Sequence, residues 1–278
     1  MLETVGVKAE RAHARGGNPV MLATWATVLL LALGAGATPA QASESGSPPP
    51  GAAATAKDPS AMALLKRMCD RLQAARTFTV RGQVSLELPL PGGTLATFFN
   101  DYEVAVRRPD GLSAHRFGEL PDFRFAYDGK SMTVLVPGEG KWGSMSAPAT
   151  LDAMLPAAEE HGGLNMAFDE LLVANPYAAI TAGVTEVVGA GQATLRGKKV
   201  EHIVLSSPQL HVEYWIDPGT ALPARSLVVY VDHPLRPHFM VEYAEWKLDA
   251  ELPAATFTLS LPQGAAEVSF RDAADSFR

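Results

Sequence analysis

Cysteine is almost absent from this sequence and basic residues are outnumbered, and each shortage excludes a class of protein. Cys69 is the single cysteine in 278 residues, so no intramolecular disulfide can form and stability must depend on a hydrophobic core. The 23 lysines and arginines face 30 aspartates and glutamates, for a formal net charge of −7. This excess of acid argues against nucleic acid as a partner and against electrostatic attachment to anionic lipid.

The sequence also lacks the motifs that mark most catalytic and metal sites. It contains no G-x-S-x-G elbow, no H-E-x-x-H, no P-loop and no C-x-x-C pair. Cys69 falls on the apolar stripe of a predicted helix, which favours an inert, buried thiol. Glu159-Glu160 and Asp169-Glu170 are adjacent carboxylates, and neighbours on a helix point about 100° apart, so we interpret both pairs as solvated helix faces. We therefore predict no catalytic residue, no metal and no cofactor, and a protein that is not an enzyme.

The first 42 residues have the pattern of a secretory signal peptide. An uncharged apolar run over residues 20–33 follows Arg11 and Arg15, and small residues ending in Ala40-Gln41-Ala42 come after it. A basic flank, an apolar run of this length and an A-x-A site predict cleavage after about Ala42. A membrane anchor is the alternative, but a span takes about 20 apolar residues. We expect a periplasmic or otherwise extracytoplasmic protein with no stable membrane span after cleavage.

The rest of the chain divides into a linker, one domain and a tail. Residues 43–57 are small, polar and proline-rich, which is typical of a disordered linker. Residues 58–265 are long enough for one domain with a real core. We predict that residues 266–278 form a flexible C-terminal tail.

The domain is predicted to be α+β and mostly antiparallel, beginning with one helix. Asp58-Pro59 is a helix start signal, and apolar residues recur at helical spacing up to about Arg76. Alternating segments joined by short turns then predict about eleven strands in an antiparallel meander. A long curved sheet with the helix packed inside it is the economical arrangement, and a β-sandwich is the alternative. The predicted strands cover residues 78–88, 94–107 (with a bulge near Asn100), 112–117, 123–127, 131–136, a short segment around Trp142, 184–188, 200–206, 212–217, 222–231 and 238–248.

A helical insert, residues 148–182, interrupts the strands. We predict helices over residues 150–160 and 165–174, separated by Gly162-Gly163. These helices contain many apolar residues for their length. Their side chains must be buried against the sheet, either as part of the hydrophobic core or as a lid over a ligand. The candidate ligand-binding residues are Met154, Leu155, Met166, Phe168, Leu171 and Leu172.

Six segments stand out by their order along the chain. They are Leu72 with Phe78, Arg107-Arg108-Pro109-Asp110, Asp128-Gly129-Lys130, Asn175-Pro176-Tyr177-Ala178, Ala255-Thr256-Phe257-Thr258 and Leu261-Pro262-Gln263-Gly264. Over the first half of the chain and at the final strand, these segments resemble the bacterial outer-membrane lipoprotein carriers of the LolA/LolB-like superfamily. A closer resemblance, over nearly all of residues 58–265 and including Asn175-Pro176-Tyr177-Ala178, is to exported bacterial proteins of domain of unknown function 2092, a family of predicted periplasmic proteins.

The resemblance implies an unclosed half-barrel of about eleven antiparallel strands, with helices that fill or cover its apolar face. In the carrier family, the arginine before the matching proline hydrogen-bonds to the lid and helps to hold it shut. Arg108 is the corresponding residue, and its alternative role is that of an ordinary arginine at a strand end. The insert is longer here and richer in Met, Phe and Leu than in the carriers, so the cargo need not be a lipoprotein.

Two functions remain open at this point. In the first, the protein binds or carries a hydrophobic or acylated ligand in the cell envelope without catalysis, and the insert is its lid. In the second, it is a structural or regulatory envelope protein that acts through a protein partner, and its own side chains fill the barrel. Related half-barrels serve as sensor domains of envelope regulators, which makes the second function credible.

Overall fold

The structure, a computed structural model, describes residues 57–166 and 168–276. The predicted signal peptide and nearly all of the predicted linker lie outside the described residues. Within the described ranges, no helix is long and apolar enough to cross a membrane.

The strands form one sheet that does not close on itself. Its order is β12-β6-β5-β4-β3-β2-β1-β11-β10-β9-β8-β7, so β1 and β11 join two meanders at the centre. Every pairing is antiparallel except that of β12 with β6. The predicted unclosed, mostly antiparallel sheet is confirmed, with twelve strands in the described part of the chain where about eleven were predicted. The strands are β1 (Thr77–Pro89), β2 (Leu95–Arg107), β3 (Gly111–Gly118), β4 (Phe123–Tyr127), β5 (Ser131–Val136), β6 (Lys141–Ser146), β7 (Glu186–Leu195), β8 (Lys198–Ser206), β9 (Leu210–Asp217), β10 (Leu222–Tyr230), β11 (His238–Leu248) and β12 (Ala266–Glu267).

The core lies on one face of the sheet, which we call the inner face. Alternation along the central strands directs one set of apolar side chains to this face, for example Phe78, Val80 and Val84 of β1. Helix α1 (Pro59–Ala74) packs there and contacts β7 and β10. The Asp58 carboxylate caps α1 by accepting from the Ser60 amide at 2.8 Å, as the start signal predicted. The buried stripe of α1 consists of Ala61, Leu64, Leu65, Met68, Cys69 and Leu72.

The prediction of a second helix in the insert, over residues 165–174, is wrong. Helix α2 (Leu151–Gly162) matches the first prediction. Between residues 165 and 174, however, the described residues (165–166 and 168–174) contain only a 3₁₀ turn, Asp169–Leu171, and the next helix is α3 (Pro176–Thr181). Two local features explain this. Phe168 has a φ of 53°, which ends any right-handed helix, and the Asn175 side chain accepts from the Ala178 amide at 3.0 Å, which starts a new helix after it.

The predicted bulge near Asn100 is also wrong. The register of β1 with β2 runs without a break, and the irregularity lies instead between Arg81 and Gly82, in the pairing of β1 with β11. Asn100 stays in phase on the inner face because its Oδ1 accepts from the Leu120 amide at 2.9 Å. The bulge requires a glycine, since a Cβ at Gly82 would lie 1.8 Å from the Glu242 carbonyl oxygen.

The C-terminal segment differs from the predicted flexible tail. Residues 266–267 form β12 beside β6, and helix α4 (Phe270–Asp275) contacts β5, β6 and α2. Phe270, Ala273 and Ala274 are buried, and this i, i+3, i+4 stripe is too short to stand out in a sequence pattern. The segment therefore completes the core at the β6 edge of the sheet.

Replacing Gly143 with alanine should loosen this C-terminal packing. A Cβ at Gly143 would lie 2.7 Å from the Ser269 carbonyl oxygen and 2.8 Å from the Phe270 Cα. Because α4 would have to shift, we expect the free energy of unfolding in urea to fall by about 1–3 kcal/mol. The matched control is Gly138→Ala, where a Cβ meets nothing within 4 Å. Equal unfolding midpoints for the two variants would mean that α4 does not pack on β6.

Candidate functional site

A small, mostly apolar cavity lies between the inner face and the part of the insert that we call the roof segment (residues 164–166 and 168–173). Its volume is about 130 Å³. A cavity of about 150 Å³ holds benzene, and pockets for drug-sized ligands measure about 300–1,000 Å³. A long hydrocarbon chain therefore fits only if the roof segment moves. The lining residues are Val84, Tyr102, Val104, Leu112, Ala114, His115, Arg116 and Phe123 from the sheet, and Leu164, Asn165, Met166, Phe168 and Leu172 from the insert.

The structure divides the six predicted ligand-binding residues into two groups. Met166, Phe168 and Leu172 line the cavity. The other three, Met154, Leu155 and Leu171, are buried in the core, where they anchor the insert. Both roles considered for the apolar stripe, core and lid, thus have residues in suitable positions.

Arg108 contacts the roof segment through three consecutive carbonyl groups. Its Nη1 donates to the carbonyl oxygens of Leu172 at 2.5 Å and Val173 at 2.6 Å, and its Nη2 donates to that of Leu171 at 2.9 Å. The guanidinium lies 5.7 Å from the centre of the Phe78 ring. Burial lowers the pKa of Arg108. A positive group in this position holds the end of the roof segment against the sheet.

A second polar contact holds Ala174, the residue that follows the roof segment. The Asp152 carboxylate, on the first turn of α2, accepts from the Ala174 amide at 3.2 Å. Its charge also opposes the effect of burial on the pKa of Arg108. The stretch from Leu171 to Ala174 is therefore bound by a cation at its carbonyls and by an anion at its last amide.

Phe168 fills the centre of the inner face in a strained conformation. Its ring centroid lies 5.3 Å from that of Tyr102 and 5.6 Å from that of Tyr243, and the side chain is buried. A bulky residue at a φ of 53° is an outlier, with a cost of about 1–3 kcal/mol. The aromatic packing holds Phe168 in place against this strain.

Asp169 and Glu170 are not on a solvated helix face, contrary to our interpretation. Both are half-buried, and the Tyr214 hydroxyl donates to Glu170 Oε1 at 2.8 Å. Burial raises the pKa of both carboxyls, and the charge of Glu170 raises that of Asp169 further. The 3₁₀ turn explains the error, because it points both side chains inward under the insert.

The raised pKa values predict that Glu170→Gln stabilises the protein at neutral pH. Between the ordinary carboxyl pKa and the raised one, the folded chain holds more protons than the unfolded chain, so the free energy of unfolding falls as pH rises through that window. Glutamine keeps an oxygen for the Tyr214 hydroxyl and removes the charge. We expect a higher urea midpoint than wild type at pH 7.5, and a gain that fades near pH 4.

The exposed Glu160 supplies the control for this prediction. Glu160→Gln removes the same charge from solvent, so it should leave the midpoint unchanged. A gain of the same size in both variants would show that net charge, and not burial, is responsible.

Other reactive groups do not assemble a site in the part of the chain that the structure covers. Cys69 is buried, which raises its pKa to about 12 and disfavours the reactive thiolate. Among residues 57–166 and 168–276, no three His, Cys, Asp or Glu side chains are grouped as a metal site would require.

Arg116, a charged residue of the cavity wall, was not predicted from the sequence. The signal was present in the alternation of β3, where Arg116 has the same phase as Leu112 and Ala114 and so faces inward with them. Tyr102 and Phe123 flank it on the neighbouring strands. An arginine in phase with core residues is the pattern that could have revealed it.

A family described as "Predicted periplasmic protein (DUF2092)" matches residues 61–271 of the chain. No curated protein matches the sequence.

Solved structures show distant likenesses. The lipoprotein LppX of Mycobacterium tuberculosis is 14% identical, with a TM-score of 0.43 over 71% of this chain and 100% of that one. A putative outer membrane lipoprotein-sorting protein domain from Vibrio parahaemolyticus is 9% identical, with a TM-score of 0.34 over 71% and 96%. The MucA/MucB complex of Pseudomonas aeruginosa gives 14% identity and a TM-score of 0.40 over 72% and 61%. Likenesses at this level carry no argument about function.

Proposed function

The chain belongs to the family of predicted periplasmic proteins DUF2092, and from this premise we propose that it binds or carries a hydrophobic or acylated ligand in the cell envelope. The signal peptide pattern supports export, with cleavage after about Ala42 and a mature protein in the periplasm. The proposed activity is non-catalytic.

One observation carries this proposal: an apolar cavity lies under a roof segment that Arg108 fixes at one end. The three Arg108 hydrogen bonds end on main-chain carbonyls, which water can also satisfy when the segment lifts. Apolar side chains on its underside, such as Met166 and Leu172, would then line a larger groove. In this proposal the insert is the lid and Arg108 is the latch.

The energetics allow such binding without a polar motif. About a dozen buried methylenes contribute roughly 10 kcal/mol at about 0.8 kcal/mol each. Ordering and association cost several kcal/mol, which still permits micromolar binding. Met166 also suits a variable chain, because methionine repacks easily.

The small size of the cavity favours a second candidate function. At about 130 Å³, the interior is mostly filled by the protein's own side chains. A self-filled barrel would act through a protein partner, as a structural or regulatory envelope protein. In that case the insert is fixed core and purified protein carries no lipid.

Native mass spectrometry of the protein purified from the periplasm without detergent separates the two functions. A bound mass that organic extraction resolves into acyl chains supports the carrier. Protein that has no added mass should be mixed with palmitate and measured again. If it remains free of ligand, the carrier proposal fails and a search for crosslinked envelope partners follows.

A further inference from the structure

The cavity has a polar end and an apolar end. Arg116 lies four residues along β3 from Leu112, about 13 Å away at strand spacing, and both line the cavity. The Leu112 end continues to Leu172, next to the Arg108 contacts. An elongated site with a cation at one end and hydrocarbon at the other matches a molecule with a charged head and an apolar tail.

Arg116 is partly buried, and burial disfavours the charged form of its guanidinium group. The neighbouring inner-face residues are Tyr102 and Phe123, and the Phe123 ring centre lies 6.0 Å from the guanidinium carbon. Nη2 donates to the Pro121 carbonyl oxygen at 3.0 Å, which fixes the side chain. Burial lowers the pKa of Arg116, and Asp122 opposes this effect.

The carboxylate of Asp122 is already engaged by two other side chains. His115 Nε2 lies 3.0 Å from its Oδ1, and Arg124 Nε lies 3.4 Å from the same atom. An anionic head group at this end of the cavity would meet the Arg116 guanidinium. Guanidinium groups bind carboxylate and phosphate through paired hydrogen bonds.

Asn100 supplies a second, independent observation beside this end of the cavity. It is 1% exposed and lies on the inner face of β2, two residues from Tyr102. Its Oδ1 accepts from the Leu120 amide, next to the Pro121 that Arg116 contacts. Within the described ranges, its Nδ2 has no hydrogen-bond partner. Buried donors without partners are rare in native proteins, and a ligand oxygen would satisfy this one.

We infer that the ligand is a single-chain amphiphile with an anionic head, whose carboxylate or phosphate binds Arg116 and Asn100 Nδ2 while its chain runs toward Leu112 and Leu172. This inference rests on the proposed carrier function and names the ligand class. Lifting the roof segment would admit the chain, and the head would stay at the Arg116 end.

The test compares two ligands that share a chain and differ in the charge of the head: palmitate and 1-hexadecanol. Each is titrated against the mature protein by displacement of a neutral fluorescent probe, N-phenyl-1-naphthylamine. We expect palmitate to bind at least tenfold more tightly than hexadecanol. Hexadecyl phosphate then distinguishes a phosphate head from a carboxylate head.

Three variants test which residues cause the preference for palmitate over hexadecanol. Arg116→Leu should weaken palmitate binding at least tenfold and leave hexadecanol unchanged. Asn100→Asp keeps the oxygen that accepts from Leu120 and replaces the donor by an acid, so it should also weaken palmitate selectively. The matched control is Arg67→Leu, which removes an exposed arginine of α1 that does not line the cavity and should change neither ligand.

The outcomes separate this inference from the proposed function. If neither ligand binds the wild-type protein, the carrier function itself fails. If both bind equally, or if the preference for palmitate survives Arg116→Leu, the carrier function stands and the anionic-head assignment is overturned. The wild-type ratio needs no variant, so a poorly folded substitution cannot leave the question open.

Discussion

Arg108→Met should release the roof segment without unfolding the sheet. Methionine keeps an aliphatic stem against the Phe78 ring but removes the donors to the carbonyls of Leu171, Leu172 and Val173. A hydrogen bond to a charged group contributes about 1.5–3 kcal/mol, and water replaces part of that loss once the segment lifts. We expect amide hydrogen exchange in the roof segment to rise roughly a hundredfold, which corresponds to about 3 kcal/mol of local stability.

The neighbouring Arg107 provides the matched control. Its Nε donates to Asp110 Oδ1 at 2.9 Å, and its guanidinium carbon lies 4.5 Å from the Phe257 ring centre, so it does not hold the insert. Arg107→Met should leave exchange in the roof segment at the wild-type rate. The latch proposal is wrong if the Arg108 variant exchanges, binds and releases a fluorescent fatty acid as wild type does.

Local patterns were sufficient for most of the sheet and for α1. Period-two alternation identified the central strands because each has one face on the core, as Phe78, Val80 and Val84 show for β1. The Asp58-Pro59 signal fixed the start of α1 because capping depends on neighbouring residues alone. These elements could be predicted because their determinants lie within a few residues.

The conformation of the insert was harder to predict, because it depends on contacts with residues that are distant in the sequence. The apolar spacing of residues 165–174 fits a helix, yet Tyr102 and Tyr243, far away in sequence, hold Phe168 in a left-handed conformation. The inward position of Asp169 and Glu170 follows from that break, and the hydrogen bond from Tyr214 stabilises it. No local pattern contains this information.

The candidate site also combines features that local sequence patterns predict with features that depend on distant contacts. Three of the six predicted residues line the cavity, because the apolar stripe of the insert was visible. The volume of the cavity, and the burial of Met154, Leu155 and Leu171 away from it, depend on packing across the whole inner face. The roles of all six residues and of Arg108 remain proposals for the experiments described above.

Two substitutions of Phe168 test whether its backbone is strained. Alanine is usually the more stable replacement for a buried residue, and strain at Phe168 should make glycine the more stable one instead. Removing a buried phenylalanine side chain costs about 3–5 kcal/mol, and either Phe168→Ala or Phe168→Gly should lose much of that. At a φ of 53°, however, alanine bears a left-handed penalty of about 1–2 kcal/mol that glycine avoids. We expect the glycine variant to be the more stable of the two in urea.

Phe125 is the control position, since it is also fully buried but lies in β4 with an ordinary backbone conformation. There, glycine should be less stable than alanine by about 0.5–1 kcal/mol. The same order at both positions would show that Phe168 is unstrained.

The Phe168 substitutions should also open space between Tyr102 and Tyr243, beside the 130 Å³ cavity. If the roof segment is a lid, both variants should bind N-phenyl-1-naphthylamine at least tenfold more tightly than wild type, because less of the interior is filled before the ligand enters. If the insert is fixed core, the vacated space stays closed to the probe and the variants only lose stability. The same pair of proteins therefore measures the strain and decides between a lid and a plug.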